Sequence, residues 1–293
     1  MTTTWDSEEL DLNAYLDRVG YTGERTASTA ALHELHRRHV TTIPFENLEI
    51  QLGRPITLDL PSLQRKLVQR RRGGYCFEHV TLFAAVLQRF GFGVEALVSR
   101  VRYGQPAGAV LPETHALLRV TVPGTGKSWL CDVGFGFTAL APAEFVDGAE
   151  VSAGGWHFRL VREGRYWLWQ ELAGGKVRDA HITADLPRHP VDYQVNSHYV
   201  STWPRSPFVT RPYAQRLGDG VRYQLDGLEL RTIRPGEPEE ARHLTPEELP
   251  EVLDTLFDIR LEAPDRAALI TRAAQLAEPD DSRAAGAPRR AAA

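Results

Sequence analysis

The chain has 293 residues, 42% of them hydrophobic and 25% charged, with a formal net charge of −4, an ordinary globular composition with room for two or three substructures. That charge supplies no broad positive field, which argues against nucleic acid or an anionic membrane as partner and leaves only Arg70, Arg71 and Arg72 as a local basic patch. Two cysteines, Cys76 and Cys131, are too few for a zinc ribbon or a multi-bridge scaffold.

"MTTTWDSEELDLNAYL" carries acids where a signal peptide needs a basic and then an apolar stretch, and no segment has the apolar length of a membrane span. A cytoplasmic protein is expected, and in that reducing compartment a Cys76–Cys131 disulfide is not. In "SEELDLNAYLDRVG", Leu10, Leu12, Tyr15, Leu16 and Val19 share one helical face and Gly20 offers a stop. "STAALHELHRRHV" predicts a second helix limited by Pro44, and "LPSLQRKLVQR" a third that ends at Gly73 and Gly74. "CFEHVTLFAAVLQRFG" predicts a fourth, with Cys76 at its start and Gly91 at its end.

From about residue 93 the pattern changes to short β-branched and aromatic runs between turn residues: "VEALVSRVRY", "HALLRVTV", "SWLCDVGF", "WHFRLVRE" and "RYWLWQEL". These predict an antiparallel sheet or small barrel. "VRYQLDGLEL" and "RTIRP" add two strands. "TPEELPEVLDTLF" opens with a capping-box pattern, Thr245 to Glu248, with Pro246 at the first helical position. A last helix, "APDRAALITRAAQLA", precedes a tail at 278–293 with little to bury, expected to be disordered.

Three motifs fail on context. "TVPGTGKSW" ends like a phosphate-binding loop but has Thr121 at the first glycine position and leads into a strand, so it reads as a hairpin turn. "GFGVEA" and "GFGFTA" have dinucleotide-fingerprint spacing without the strand-then-helix setting. His33, His36 and His39 lack an acidic or thiolate ligand to complete a metal set, which leaves solvated or locally bonded histidines.

A thiol becomes a useful nucleophile when a helix N-terminus, a cation or an imidazolium stabilises its thiolate. Cys76 is offered the first, and the glycine pair before it would let the chain turn tightly and leave room at the sulfur. A small buried hydrophobe is an equal alternative on that ground alone. His115 opens "HALLRV", and Asp132 interrupts the apolar "WLCDVGFG", where an acid is costly without a partner. A histidine Nδ1–H would be a natural partner, leaving the other ring nitrogen for the thiol. His115 alone reads as a satisfied core histidine; the set Cys76, His115 and Asp132 favours catalysis. Alternation turns Cys131 to the opposite face, into the core.

"IPFENLEI", "RRGGYCFEH", "ETHALLRV", "CDVGFGF" and "WPRSPFV", in that chain order, resemble the arylamine N-acetyltransferase family, whose signatures include RGGxC and a Cys, His, Asp triad, and the match runs from about residue 10 to about residue 275. The resemblance implies an α+β fold with a cysteine-protease or transglutaminase-like core: a helical bundle at 1–92 carrying the nucleophile, an antiparallel β-barrel at 93–190 carrying the histidine and aspartate, and an α/β lid at 191–277. It implies Cys76 as acyl-accepting nucleophile, His115 as base and later acid, and Asp132 as the group orienting His115.

The implied reaction is a ping-pong transfer from acetyl-CoA, a co-substrate rather than a permanently bound cofactor, to a small arylamine, arylhydrazine or N-hydroxyarylamine. No metal is implied. Phe45, Val101, Phe135 and Phe208 match positions lining the aryl and acyl pocket, Thr114 and Gly134 match the region that meets CoA, and Glu46 and Arg72 match a charge pair tied to the nucleophile loop. Taken singly, each pocket residue reads equally as core, and Arg72 as solvated. Where the family usually reads CFExN, this chain has Val80, which puts local hydrogen bonding beside the nucleophile in question. A transglutaminase-like cysteine hydrolase, an amide synthase and a catalytically idle binding module are the alternatives.

Overall fold

In the computed structural model, which describes residues 5–106 and 108–277, the first helices end where the sequence predicts. Helix α1 (Leu12–Val19) stops at Gly20, which is left-handed at φ 68°, and α2 (Thr29–Thr42) is capped by the Ser28 hydroxyl, which accepts from Ala31 N–H. A two-residue strand, β1 (Phe45–Glu46), and a short helix, α3 (Leu48–Gln51), follow. The third predicted helix begins as α4 (Leu60–Leu63), widens into a π-helical stretch over Gln64–Gln69 and ends at Arg70, short of the glycines. Helix α5 (Cys76–Phe90) buries every residue except Gln88 and Arg89, so it is the axis of the main core.

Eight strands come next: β2 (Gly93–Val101), β3 (His115–Val122), β4 (Lys127–Cys131), β5 (Ala143–Glu144), β6 (Ala149–Ala153), β7 (Trp156–Glu163), β8 (Tyr166–Ala173) and β9 (Lys176–Ala184). They form one antiparallel sheet in the order β5-β4-β3-β2-β9-β8-β7-β6, whose end strands β5 and β6 come back into contact, making a nearly closed barrel. "TVPGTGKSW" is the β3–β4 hairpin, with Gly124 and Gly126 both at positive φ.

The remaining chain forms α6 (Pro190–Thr202), α7 (Pro207–Thr210), β10 (Tyr213–Gly218), β11 (Val221–Asp226), β12 (Glu229–Ile233), β13 (Glu240–His243), α8 (Leu249–Phe257) and α9 (Ala263–Ala277). "VRYQLDGLEL" is therefore a β11–β12 hairpin rather than one strand. Thr245 N–H does donate to Glu248 Oε2 at 2.7 Å, but the helix starts only at Leu249, with Pro250 rather than Pro246 in its first turn. Helices α8 and α9 pack on this second sheet in a smaller core around Leu225, Leu253, Phe257 and Leu269. β1 is the edge strand of that sheet, with Phe45 opposite Gln215 and Glu46 opposite Ala214, so the segment before the nucleophile is clamped by the C-terminal third. The tail at 278–293 lies outside the described residues.

Candidate active site

Cys76 is the first residue of α5, at the end of a loop whose backbone is locked to β1. Gly74 N–H donates to the Pro44 carbonyl at 3.3 Å, and Glu46 N–H donates to the Gly74 carbonyl at 2.8 Å. A Cβ on Gly73 would sit 2.0 Å from the Pro44 oxygen, and one on Gly74 would sit 2.9 Å from Glu78 Cβ. The glycine pair is thus required by close approach of chain to chain, not to clear space at the sulfur as the sequence suggests; Arg71, at φ 51°, makes the turn.

The expected charge pair forms, and it is buried rather than solvated. Arg72, 1% exposed, donates from Nε to Glu46 Oε1 at 2.9 Å and from Nη1 to Glu49 Oε1 at 3.2 Å. Glu46 also accepts from Gly73 and Leu48 N–H. Burial pushes the Glu46 carboxyl up, but the Arg72 and Lys66 charges outweigh it and hold the carboxyl below its usual range. At the helix start, Glu78 accepts from Tyr75 N–H at 3.1 Å and pairs with Lys66 at 2.7 Å.

His115 is the first residue of β3, and Asp132 follows directly on the end of β4, so the acid caps an apolar strand instead of interrupting one. His115 Nε2 lies 3.1 Å and 3.0 Å from the two Asp132 carboxylate oxygens. This reverses the expected ring assignment. Cys76 Sγ sits 3.8 Å from the Thr114 carbonyl, beside the backbone of the histidine, so the near nitrogen, Nδ1, is left for the thiol while the far one reaches Asp132. Burial works against the His115 imidazolium, but the Asp132 charge and hydrogen bond, with the Cys76 thiol, raise its pKa to about 10. Burial likewise opposes the Asp132 anion, and the two histidines bonded to it hold its carboxyl far below the usual range.

The second of these is His181 of β9, which the sequence reading missed along with its strand. Its Nε2 donates to Asp132 Oδ2 at 3.0 Å, and Gly134 N–H donates to Oδ1 at 3.2 Å. The β-branched Ile182 and Thr183 beside His181 in "KVRDAHITA" were the available signal for the strand. The ligand-type atoms of His115, Asp132 and His181 lie within 4.8 Å of one another. Two N–H donors converging on one carboxylate account for that spacing.

A cavity of about 570 Å³ opens onto Cys76 and His115. Phe45, Val101, Phe135 and Phe208 all line it, as do Thr114 and Gly134. The structure adds Tyr103, Phe137, Trp203, Arg205 and Tyr213, none of which the sequence singled out. Phe135 meets His115 edge-on, with centroids 5.0 Å apart, and Phe45 packs on Phe208 at 5.8 Å. Val80 is completely buried in the apolar core, where it offers the triad no hydrogen bond. Cys131 is a free core thiol, as expected.

Of the solvated or locally bonded histidines expected in α2, His36 and His39 are buried and His33 is half-buried, meeting Trp129 edge-on at 4.7 Å. A relay runs from Tyr15 O–H to His39 Nδ1 (2.8 Å), from His39 Nε2 to His79 Nδ1 (2.9 Å), and from His79 Nε2 to the Pro44 carbonyl (3.1 Å). A carbonyl only accepts, so His79 carries a proton on Nε2; burial disfavours a charged form of either ring, and with both neutral His39 Nε2 donates to His79 and Tyr15 O–H donates to His39.

Residues 28–266 match the N-acetyltransferase family model. An arylamine N-acetyltransferase of Mycolicibacterium smegmatis is 38% identical over 252 residues, covering 85% of this chain and 90% of that relative. The crystal structure of the Nocardia farcinica arylamine N-acetyltransferase is similar at TM-score 0.87 and 48% identity, covering 92% of this chain and 96% of that one. The structure of the Mycobacterium marinum arylamine N-acetyltransferase in complex with CoA is similar at TM-score 0.86 and 34% identity, covering 91% of this chain and 99% of that one.

Proposed function

The chain belongs to the arylamine N-acetyltransferase family, and from that premise we propose that Cys76, His115 and Asp132 are the groups through which it works. It transfers the acetyl group of acetyl-CoA to the nitrogen of an arylamine. In the first half-reaction the Cys76 sulfur attacks the acetyl carbonyl, the C–S bond to CoA breaks, and CoA leaves as a thiol with the proton carried by His115. Thioester exchange is close to balanced because a sulfur enters and a sulfur leaves. In the second half the amine nitrogen attacks the Cys76 thioester, His115 Nδ1 takes its proton, and the Cys76–acyl bond breaks to release the amide.

The observation that carries this reading is that one sulfur, beside one histidine, is reached from one cavity. Donor and acceptor must then use the same mouth in turn, which is the requirement of a ping-pong cycle. Asp132 keeps the proton of His115 on Nε2 and favours the imidazolium. Phe45, Val101, Phe135 and Phe208 form the apolar wall for the aryl ring, and Thr114 and Gly134 border the path of CoA. In this reading residues 1–92 supply the nucleophile, 93–190 the base and acid, and 191–277 a cover over the pocket. Among the described residues no helix is long and apolar enough to cross a membrane, and we place the reaction in the cytoplasm, where acetyl-CoA is made available and thiols stay reduced.

Mass spectrometry after mixing with acetyl-CoA tests the assignment. One acetyl group on Cys76, discharged by an added aniline or hydrazine and absent from Cys76→Ala, is expected. Acetyl transfer by a folded Cys76→Ala protein would overturn it.

A further inference from the structure

The triad chemistry leaves His181 without a task, yet its place in the barrel depends on a local irregularity. Trp169 of β8 opposes His181 while Gln170 opposes Asp179, so Ala180 is an extra residue with no partner across the ladder. A bulge of this kind turns two consecutive side chains to one face, and Ala180 and His181 are both buried. The Ala180 carbonyl is still satisfied, accepting from Arg102 and Tyr103 N–H at 2.8 Å and 3.1 Å.

The bulge brings His181 opposite Val101, while His115 opposes Ser99 two residues earlier on the same strand. Both imidazoles therefore stand on one face of the sheet, flanking β2. They reach the same oxygen, Asp132 Oδ2, each at 3.0 Å. His181 Nδ1 is buried without a hydrogen-bond partner, so an imidazolium there would hold an unsatisfied charged N–H. Burial favours the neutral ring in the same sense. Cys76 of α5 faces His115, while His36 of α2, Tyr193 of α6 and the neighbouring Cys131 also feel the charge of this carboxylate. Its side-chain donors among the described residues are His115 and His181.

We propose that His181 is a positioning residue for acetyl transfer: a neutral imidazole whose Nε2–H holds the Asp132 carboxylate in the orientation that fixes the His115 ring toward Cys76. The proposal rests on the acetyl-transfer reading and is tested with one readout that does not need it.

His181→Phe keeps a ring against His115 and Phe135 but removes the donor, whereas His181→Gln keeps an N–H near the Nε2 position. Two rates are compared: single-turnover acetylation of Cys76 by acetyl-CoA, and alkylation of Cys76 by iodoacetamide in its absence. Loss of a hydrogen bond to a charged group slows both by about 10- to 100-fold in the Phe variant. The acetyl-CoA KM stays within about twofold and the Gln variant recovers to within about fivefold, the split expected when only orientation is lost. Parent-like rates in the Phe variant, or equal losses in the Phe and Gln variants, would overturn the proposal. Nitrogen-15 NMR of the unsubstituted protein's histidines gives a check without any variant: His181 is expected neutral at pH 7 with its proton on Nε2, and a doubly protonated ring or an Nδ1–H tautomer counts against it. Should the unsubstituted protein be alkylated readily yet never accept an acetyl group, the acetyl-transfer reading fails while the alkylation comparison still decides the role of His181.

Discussion

Gly134 lies so close to the backbone of Cys76 that a Cβ on it would be 2.7 Å from the Cys76 Cα and 2.9 Å from its Cβ. The loop after Asp132 is thereby pressed against the first turn of α5, and the same glycine donates its N–H to Asp132. Gly134→Ala has to displace the nucleophile or the acid. A shift of about 1 Å at a reacting atom costs about 100-fold in rate. The expected outcome is a loss of that order in single-turnover acetylation, with an unchanged far-ultraviolet circular dichroism spectrum. A parent-like rate would mean that the contact yields without moving Sγ.

Arg72 ties the nucleophile loop to two carboxylates from inside the protein. Removing one partner of a buried ion pair leaves uncompensated charge and costs about 3–5 kcal/mol. Arg72→Met is expected to lose stability on that scale in urea unfolding. Arg72→Lys is expected to fall between, because one ammonium cannot span Glu46 and Glu49 as the guanidinium fork does. A loss below about 1 kcal/mol in the Met variant would show that water already solvates the site.

The helices, and the meeting of Cys76, His115 and Asp132, were legible because their signals are local or chemically unusual. Gly20 and Gly91 end helices, and an acid beside an apolar strand demands a partner. His181 was not legible, because its relation to Asp132 is set by strand order and by the bulge at Ala180, neither of which leaves a mark at short range. The same holds for β1: two residues cannot announce a strand, and Phe45–Glu46 becomes one only because β10 arrives some 170 positions later. The role of Gly73 was misread for a related reason, since the atom it avoids, the Pro44 oxygen, belongs to another segment. Which histidine nitrogen faces Cys76 depended on the side from which the sulfur approaches, a tertiary fact.

Phe208 is expected to act in one half-reaction and not the other. Its ring packs on Phe45 at 5.8 Å, Tyr75 at 5.9 Å and Tyr213 at 5.9 Å, forming one wall of the cavity away from the triad hydrogen bonds. Phe208→Ala removes apolar surface that an aryl ring would cover, worth about 1.5 kcal/mol for a partly buried phenyl. The arylamine-dependent kcat/KM should fall about tenfold while acetylation by acetyl-CoA stays within about twofold. Equal losses in both halves would indicate that the ring supports the nucleophile loop rather than the acceptor.

The buried histidines give stability a maximum in pH. Burial lowers the pKa of His36 and His79 to about 4 and puts His39 well below its ordinary value. An unfolded histidine titrates near 6.5. Between about pH 6.5 and about pH 4 the unfolded chain therefore binds protons that the folded chain does not. Stability falls as pH drops through that window, by up to about 1.4 kcal/mol per unit for each group. His115 acts in the opposite sense: with its pKa raised to about 10, its contribution is complete below about pH 6.5 and is lost as pH rises toward 10. Denaturant unfolding across pH 4–10 should show a maximum near 6.5. His79→Gln, which retains a donor for the Pro44 carbonyl, should flatten the acid limb by the share of one proton and leave the alkaline limb unchanged. A flat profile between pH 4 and 6.5 in the unsubstituted protein would sink the relay's neutral assignment, because neutral buried rings cannot avoid that slope.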